Sequence, residues 1–114
     1  MAIEFKEPIT IDGTVSGSST IKATNFLLGS DIRYKTKILP MVLAPVNIEY
    51  KEFELKSEID QLRYGVIAQE LQKEHPELVR TDSSGMLSVA YIDLLVKEVA
   101  YLKNKVAELE KRIK

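Results

Sequence analysis

Apolar and polar residues alternate in short stretches over the first 29 positions. Ile3-Glu4-Phe5-Lys6 and Ile9-Thr10-Ile11-Asp12 carry the period of two that marks half-buried strands. Gly13 and Ser16-Gly17-Ser18-Ser19 punctuate them as turns, and Ile21–Thr24 with Phe26-Leu27-Leu28 supplies one more short strand. Strands this short hold too little apolar material to close a core alone. Residues 1–29 therefore read as a segment whose faces other chains must bury.

From Ser30 the pattern sharpens. Ile32, Tyr34, Thr36 and Ile38 alternate with Arg33, Lys35 and Lys37, which predicts a strand with one apolar and one cationic face. Pro40 and Pro45 bracket a short connection. Val46–Leu55 reads as a second strand followed by a slip or bulge, Lys56–Leu62 as a polar hairpin loop, and Tyr64–Ile67 as a short apolar strand. Ala68–Glu74 is a helix of a turn or two that Pro76 stops. Asp82-Ser83-Ser84-Gly85 is a turn and Leu87-Ser88-Val89 a brief strand after it.

The last segment carries a heptad seam. Ile92, Leu95, Val99, Leu102, Val106, Leu109 and Ile113 are spaced alternately three and four apart, the a and d positions of a coiled coil over about three heptads. In a parallel, in-register assembly Glu98 at g would face Lys103 at e of a neighbour, and Lys105 would face Glu110 likewise; each pair is weak, but together they favour register. The bland alternative is one amphipathic helix packed on its own domain. β-branched residues at a with Leu at d lean towards two strands by the packing rule.

Composition narrows the chemistry. The 114 residues are 45% apolar and 29% charged, which suits one modest globular domain or a smaller one with an extended attachment. No run of about 18 apolar residues is present and no basic stretch precedes an apolar one, so neither a transmembrane helix nor a signal peptide is expected. The absence of cysteine excludes disulfides, thiolate metal sites and a Cys nucleophile. Sixteen Lys and Arg against 17 Asp and Glu argue against non-specific nucleic-acid binding. A lone histidine, His75, read as a surface residue at a helix end, argues against a His-based metal cluster or a Ser-His-Asp triad. Glu70, Glu74 and Glu77 read as a solvated acidic face, Asp82–Gly85 lacks the acidic repeat of a calcium loop, and no Gly-Lys-Ser/Thr follows Gly13 or Gly17. No metal and no cofactor is expected.

One nucleophile arrangement remains, a serine activated by a lysine. Ser30 stands in Gly29-Ser30-Asp31-Ile32-Arg33-Tyr34-Lys35. A lysine amine near its ordinary pKa of about 10.4 is protonated at neutral pH, and lowering it by about three units costs about 4 kcal/mol. Burial and nearby cations such as Arg33 or Lys37 push in that direction. In a straight strand, positions five apart face opposite sides, so the pair needs a bend, which Gly29 and Asp31 can supply. Read from these residues alone, the ordinary reading wins: Ser30-Asp31 is a turn or cap, and the lysine five residues later is chance.

The order of motifs resembles a known family. Leu28-Gly29-Ser30-Asp31-Ile32-Arg33-Tyr34-Lys35-Thr36-Lys37-Ile38 is similar to the opening Ser-Asp-x-Arg-x-Lys-x-x-Ile of the intramolecular chaperone domain of phage endosialidases, tailspikes and tail fibres. Pro45-Val46-Asn47-Ile48-Glu49-Tyr50, Tyr64-Gly65-Val66-Ile67-Ala68-Gln69-Glu70-Leu71, His75-Pro76-Glu77-Leu78-Val79 and Leu87–Leu95 resemble its later motifs in the same order, over about residues 28–114. Between Ile38 and Pro45, where many relatives carry a longer helical connection, this chain has only Leu39–Ala44.

The resemblance implies a homotrimer that registers the upstream fibre or tailspike chain in the host cytoplasm during virion assembly, the parent fibre ending on the virion tail. It also implies release by autoproteolysis at Gly29–Ser30, with Ser30 as nucleophile, Lys35 as base and Lys37 as the alternative base; Asp31, Arg33 and Lys37 are the supporting residues that the sequence itself offers around the pair. The expected fold is α+β. Residues 1–29 would end a trimeric β-stalk, 30–90 would form a small mixed chaperone and autoprotease domain of short strands and helices, and 91–114 a helix in a parallel trimeric coiled coil. Neither a membrane nor a nucleic acid is an expected partner. Two competing readings are a trimerisation foot that never cleaves and an intracellular coiled-coil adaptor, the latter leaving the stalk-like pattern of Ile3–Leu28 unexplained.

Overall fold

The computed structural model describes residues 2–113 and divides the chain into two units, one ending at Leu39 and the other beginning at Pro40. In the first unit the expected strands over residues 3–28 do not form, and every described residue is exposed. A strand needs a neighbour to take its backbone N–H and C=O groups, and the single chain offers these residues none.

The strand expected over Ile32–Ile38 is also replaced. Ile32–Tyr34 is a 3₁₀ turn with Asp31 as its N-cap. The Asp31 carboxylate accepts the Arg33 N–H, a local bond that competes with extended pairing and outweighs the alternation.

The second unit opens with a hairpin. Strand β1, Lys51–Leu55, pairs antiparallel with β2, Glu58–Gly65, setting Lys51 opposite Gly65 and Phe53 opposite Arg63, and the register shifts between Phe53 and Leu55. The expected bulge is therefore present. The strand begins later than Val46, however, and the loop expected over Lys56–Leu62 shrinks to a turn at Lys56-Ser57. Residues 58–63 are polar or exposed on both faces, so they carry no one-sided pattern, and cross-strand backbone bonds alone define them.

Helix α1, Ala68–Glu74, keeps its expected bounds and ends where His75 N–H donates to the Leu71 carbonyl, just before Pro76. A 3₁₀ turn over Pro76–Leu78 leads into β3, Val79–Thr81, which pairs antiparallel with β4, Leu87–Val89. The turn between them is organised by Asp82, whose Oδ1 accepts from Ser84 N–H at 2.9 Å, Ser84 Oγ at 2.6 Å and Met86 N–H at 3.0 Å. Gly85 sits there at φ 87°, a left-handed conformation that favours glycine. His75, expected on the surface, is partly buried, with Nδ1 3.1 Å from Glu77 Oε1.

Helix α2, Tyr91–Ile113, is the long C-terminal helix that the heptads predict. Its Leu94 is fully buried and joins Val46, Val66, Leu71, Leu78 and Val79 in the core, with Ile48, Ala68, Leu87 and Val89 packed around them. The first residue of α2 is tied to the end of β2: Val66 N–H donates to the Tyr91 hydroxyl at 3.0 Å. A side chain at Gly65 would collide with that hydroxyl, so the close approach requires glycine.

Candidate functional site

The turn after Gly29 brings together two residues five apart in sequence. Tyr34 N–H donates to the Asp31 carbonyl at 3.0 Å and Lys35 N–H to the Ile32 carbonyl at 3.1 Å. In an extended strand the same five steps would span about 17 Å. With the chain folded into the turn, Lys35 Nζ donates to Ser30 Oγ at 2.6 Å. Hydroxyl and amine thus stand within the reach that proton transfer between a nucleophile and its base requires.

Asp31 and Arg33 hold the turn from outside. Arg33 Nε and Nη2 donate to Asp31 Oδ1 and Oδ2 at 3.0 and 2.8 Å, a two-pronged pair, while Oδ1 also takes the Arg33 backbone N–H at 2.9 Å. The side-chain hydrogen bonds from Arg33, then its backbone N–H, hold the Asp31 carboxyl below its ordinary range, and Arg33 keeps its proton more tightly in return. Arg33, offered by the sequence as a cation beside the amine, has its charge matched by Asp31 instead. Lys37 follows in a left-handed backbone conformation, φ 53°, and among the described residues it is Lys35 that bonds Ser30. A Cβ built at Gly29 would meet nothing within 4 Å, and residues 29–37 are all exposed, so water reaches the pair freely.

The second feature is the free face of α2. Ile92, Leu95, Val99, Leu102, Val106, Leu109 and Ile113 are each 52–84% exposed, whereas Leu94 on another face is buried in the chain's own core. The seam is thus not used for packing within the protomer. Val96, at an e position and also half exposed, widens the apolar face at its N-terminal end, where Ile92, Leu95, Val96, Val99 and Ala100 line a shallow groove. Glu98, expected to face a neighbour's Lys103, accepts the Tyr50 hydroxyl at 2.8 Å, and Lys105 lies 3.3 Å from Glu108 of its own helix. Sequence reasoning missed the Asp31–Arg33 fork and the Tyr91–Val66 tie; the Asp-x-Arg spacing signals the first, and nothing local signals the second.

Residues 30–80 match the family described as chaperone of endosialidase. That segment belongs to the family. The chaperone segment begins at Ser30 and includes the Ser30–Lys35 turn, both strands of the hairpin and α1, and it ends before α2. No curated protein and no solved structure matches the chain. Among the described residues no helix is long and apolar enough to cross a membrane.

Proposed function

We propose that the chain is an intramolecular chaperone that joins three copies through α2, registers an upstream fibre or tailspike chain, and then frees itself by cutting Gly29–Ser30. The 2.6 Å hydrogen bond between Lys35 Nζ and Ser30 Oγ carries the reading. In the cut, a neutral Lys35 amine takes the Ser30 hydroxyl proton as Oγ attacks the Gly29 carbonyl carbon. The bond from that carbon to the Ser30 nitrogen breaks, the nitrogen takes a proton, and an ester links Gly29 to Ser30 Oγ. Water then hydrolyses the ester, leaving a Gly29 carboxylate and a Ser30 amine. In the alternative route Lys35 takes a proton from water as the water oxygen attacks the Gly29 carbonyl carbon directly, and the bond to the Ser30 nitrogen breaks as that nitrogen takes the proton, giving the same carboxylate and amine.

Burial disfavours a charged ammonium, and the surroundings of the pair suit burial by assembly. Leu27, Leu28, Ile32 and Tyr34 are apolar neighbours in sequence, exposed at 90, 66, 72 and 86%. Covering them with other copies would remove water from the amine, so cleavage would follow completed assembly. The choice of three copies rests on the family resemblance, which outweighs the packing rule that leans towards two strands. Loss of the clamp after cutting would make the stability of the stalk kinetic.

Intact-mass spectrometry of freshly expressed protein tests the proposal. The expected result is loss of residues 1–29, abolished in Ser30→Ala and in Lys35→Ala but retained in Lys37→Ala. Full-length protein after long incubation would leave a trimerisation foot without proteolysis, and cutting by Ser30→Ala would remove Ser30 from the mechanism.

A further inference from the structure

We infer that Asp31 and Arg33 are positioning residues for the cut, acting by clamping the turn that sets Lys35 on Ser30; this rests on the self-cleavage reading. The two do different jobs through one carboxylate. Asp31 Oδ1 caps the turn by taking the Arg33 N–H at 2.9 Å, and the Arg33 guanidinium grips both carboxylate oxygens at 2.8 and 3.0 Å. Neither side chain bonds Ser30 or Lys35. Their action passes through the backbone, because the capped residues supply the two bonds, Tyr34 N–H to Asp31 O and Lys35 N–H to Ile32 O, that shorten the path from Ser30 to Lys35.

The fork geometry explains the residue types. A planar guanidinium meets both carboxylate oxygens at once, which a lysine ammonium cannot do. It also separates two possible roles for Arg33. A cation acting on the amine through space would change the pH at which cleavage turns on. A clamp would change how often the pair is aligned, and so the maximal rate at an unchanged pH midpoint.

The test is the rate of appearance of the cut product against pH in the full chain, for wild type, Asp31→Ala, Asp31→Asn, Arg33→Ala and Arg33→Lys, with oligomeric state checked in a Ser30→Ala background. Asp31→Ala and Arg33→Ala are expected to lower the plateau rate about tenfold or more without moving the midpoint. Asp31→Asn, which keeps the capping oxygen and loses the charge, should fall between, as should Arg33→Lys, which keeps the charge and loses the fork. The Asp31→Ala, Arg33→Ala double variant should be no slower than Asp31→Ala alone, as for residues acting as one unit. Plateau rates within twofold of wild type in both alanine variants would overturn the clamp, as would a shifted midpoint at full plateau for Arg33→Ala. Absence of any cut in wild type overturns the self-cleavage reading, and the clamp's role with it, before a variant is made.

Discussion

Leu102→Ala separates a seam between chains from a face that merely decorates a monomer. Leu102 is 59% exposed in the single chain. Burying a whole leucine side chain contributes about 1.5–3 kcal/mol, so covering the exposed share is worth about 1–2 kcal/mol per chain and about 3–5 kcal/mol over three chains. Alanine keeps one carbon of the side chain, but the cavity left behind adds a cost of its own. At about 1.4 kcal/mol per factor of ten, trimer formation should weaken about 10²- to 10⁴-fold. Sedimentation equilibrium of the Ser30→Ala protein and its Leu102→Ala derivative across a concentration series reads this directly. Helix content and thermal unfolding of the dissociated chain should barely change. Leu94→Ala makes the contrast: this side chain is fully buried in the protomer, so its loss should cost about 2–5 kcal/mol of folding stability. An unchanged association constant for Leu102→Ala, or a wild-type chain that sediments as a monomer at micromolar concentration, refutes the seam.

Two further measurements probe the fold that supports the site. Gly65→Ala should lower the unfolding free energy by about 1–3 kcal/mol through overpacking against Tyr91; adding Tyr91→Phe removes the colliding hydroxyl, so in denaturant melts the double variant should lose less than the sum of the single ones. Burial, then the hydrogen bond to Glu98, pushes the Tyr50 phenol up to about 12. Because the folded value lies above the ordinary 10, this contribution is complete below pH 10 and is lost as pH rises towards 12. Alkaline unfolding followed by circular dichroism should therefore lose that component in Tyr50→Phe, and an unchanged profile would show that the Tyr50–Glu98 bond contributes nothing.

What could be read from the sequence divides along physical lines. Helix α1, the Asp82–Gly85 turn, β4 and α2 are each specified by signals within their own residues: a proline stop, an Asp and a Gly at fixed turn positions, a heptad stripe. Only the end of β2, Tyr64-Gly65, falls in the strand that the apolar pattern predicts; residues 58–63 are polar or exposed on both faces, so pairing with β1 defines them and periodicity does not. The Ile32–Tyr34 turn was hidden for the opposite reason, since a clear period of two competed with an Asp cap and lost. That one local contest decides the site: as a strand, residues 30–35 would hold Ser30 and Lys35 apart, and as a capped turn they bring the amine to 2.6 Å from the hydroxyl.

The distribution of burial points the same way. Among the described residues, all six buried apolar side chains lie between Val46 and Leu94, while the apolar residues of 3–43 and of the α2 seam stay exposed. Exposed apolar surface on this scale marks interaction sites. On the proposed reading, a chain with its core in the middle of its sequence and bare apolar segments before and after it completes its folding by association. On the proposed reading the same association dries the Ser30–Lys35 pair, so a variant that blocks trimer formation without touching residues 29–37, such as Leu102→Ala, should also slow the cut, and uncoupling of the two would separate cleavage from assembly.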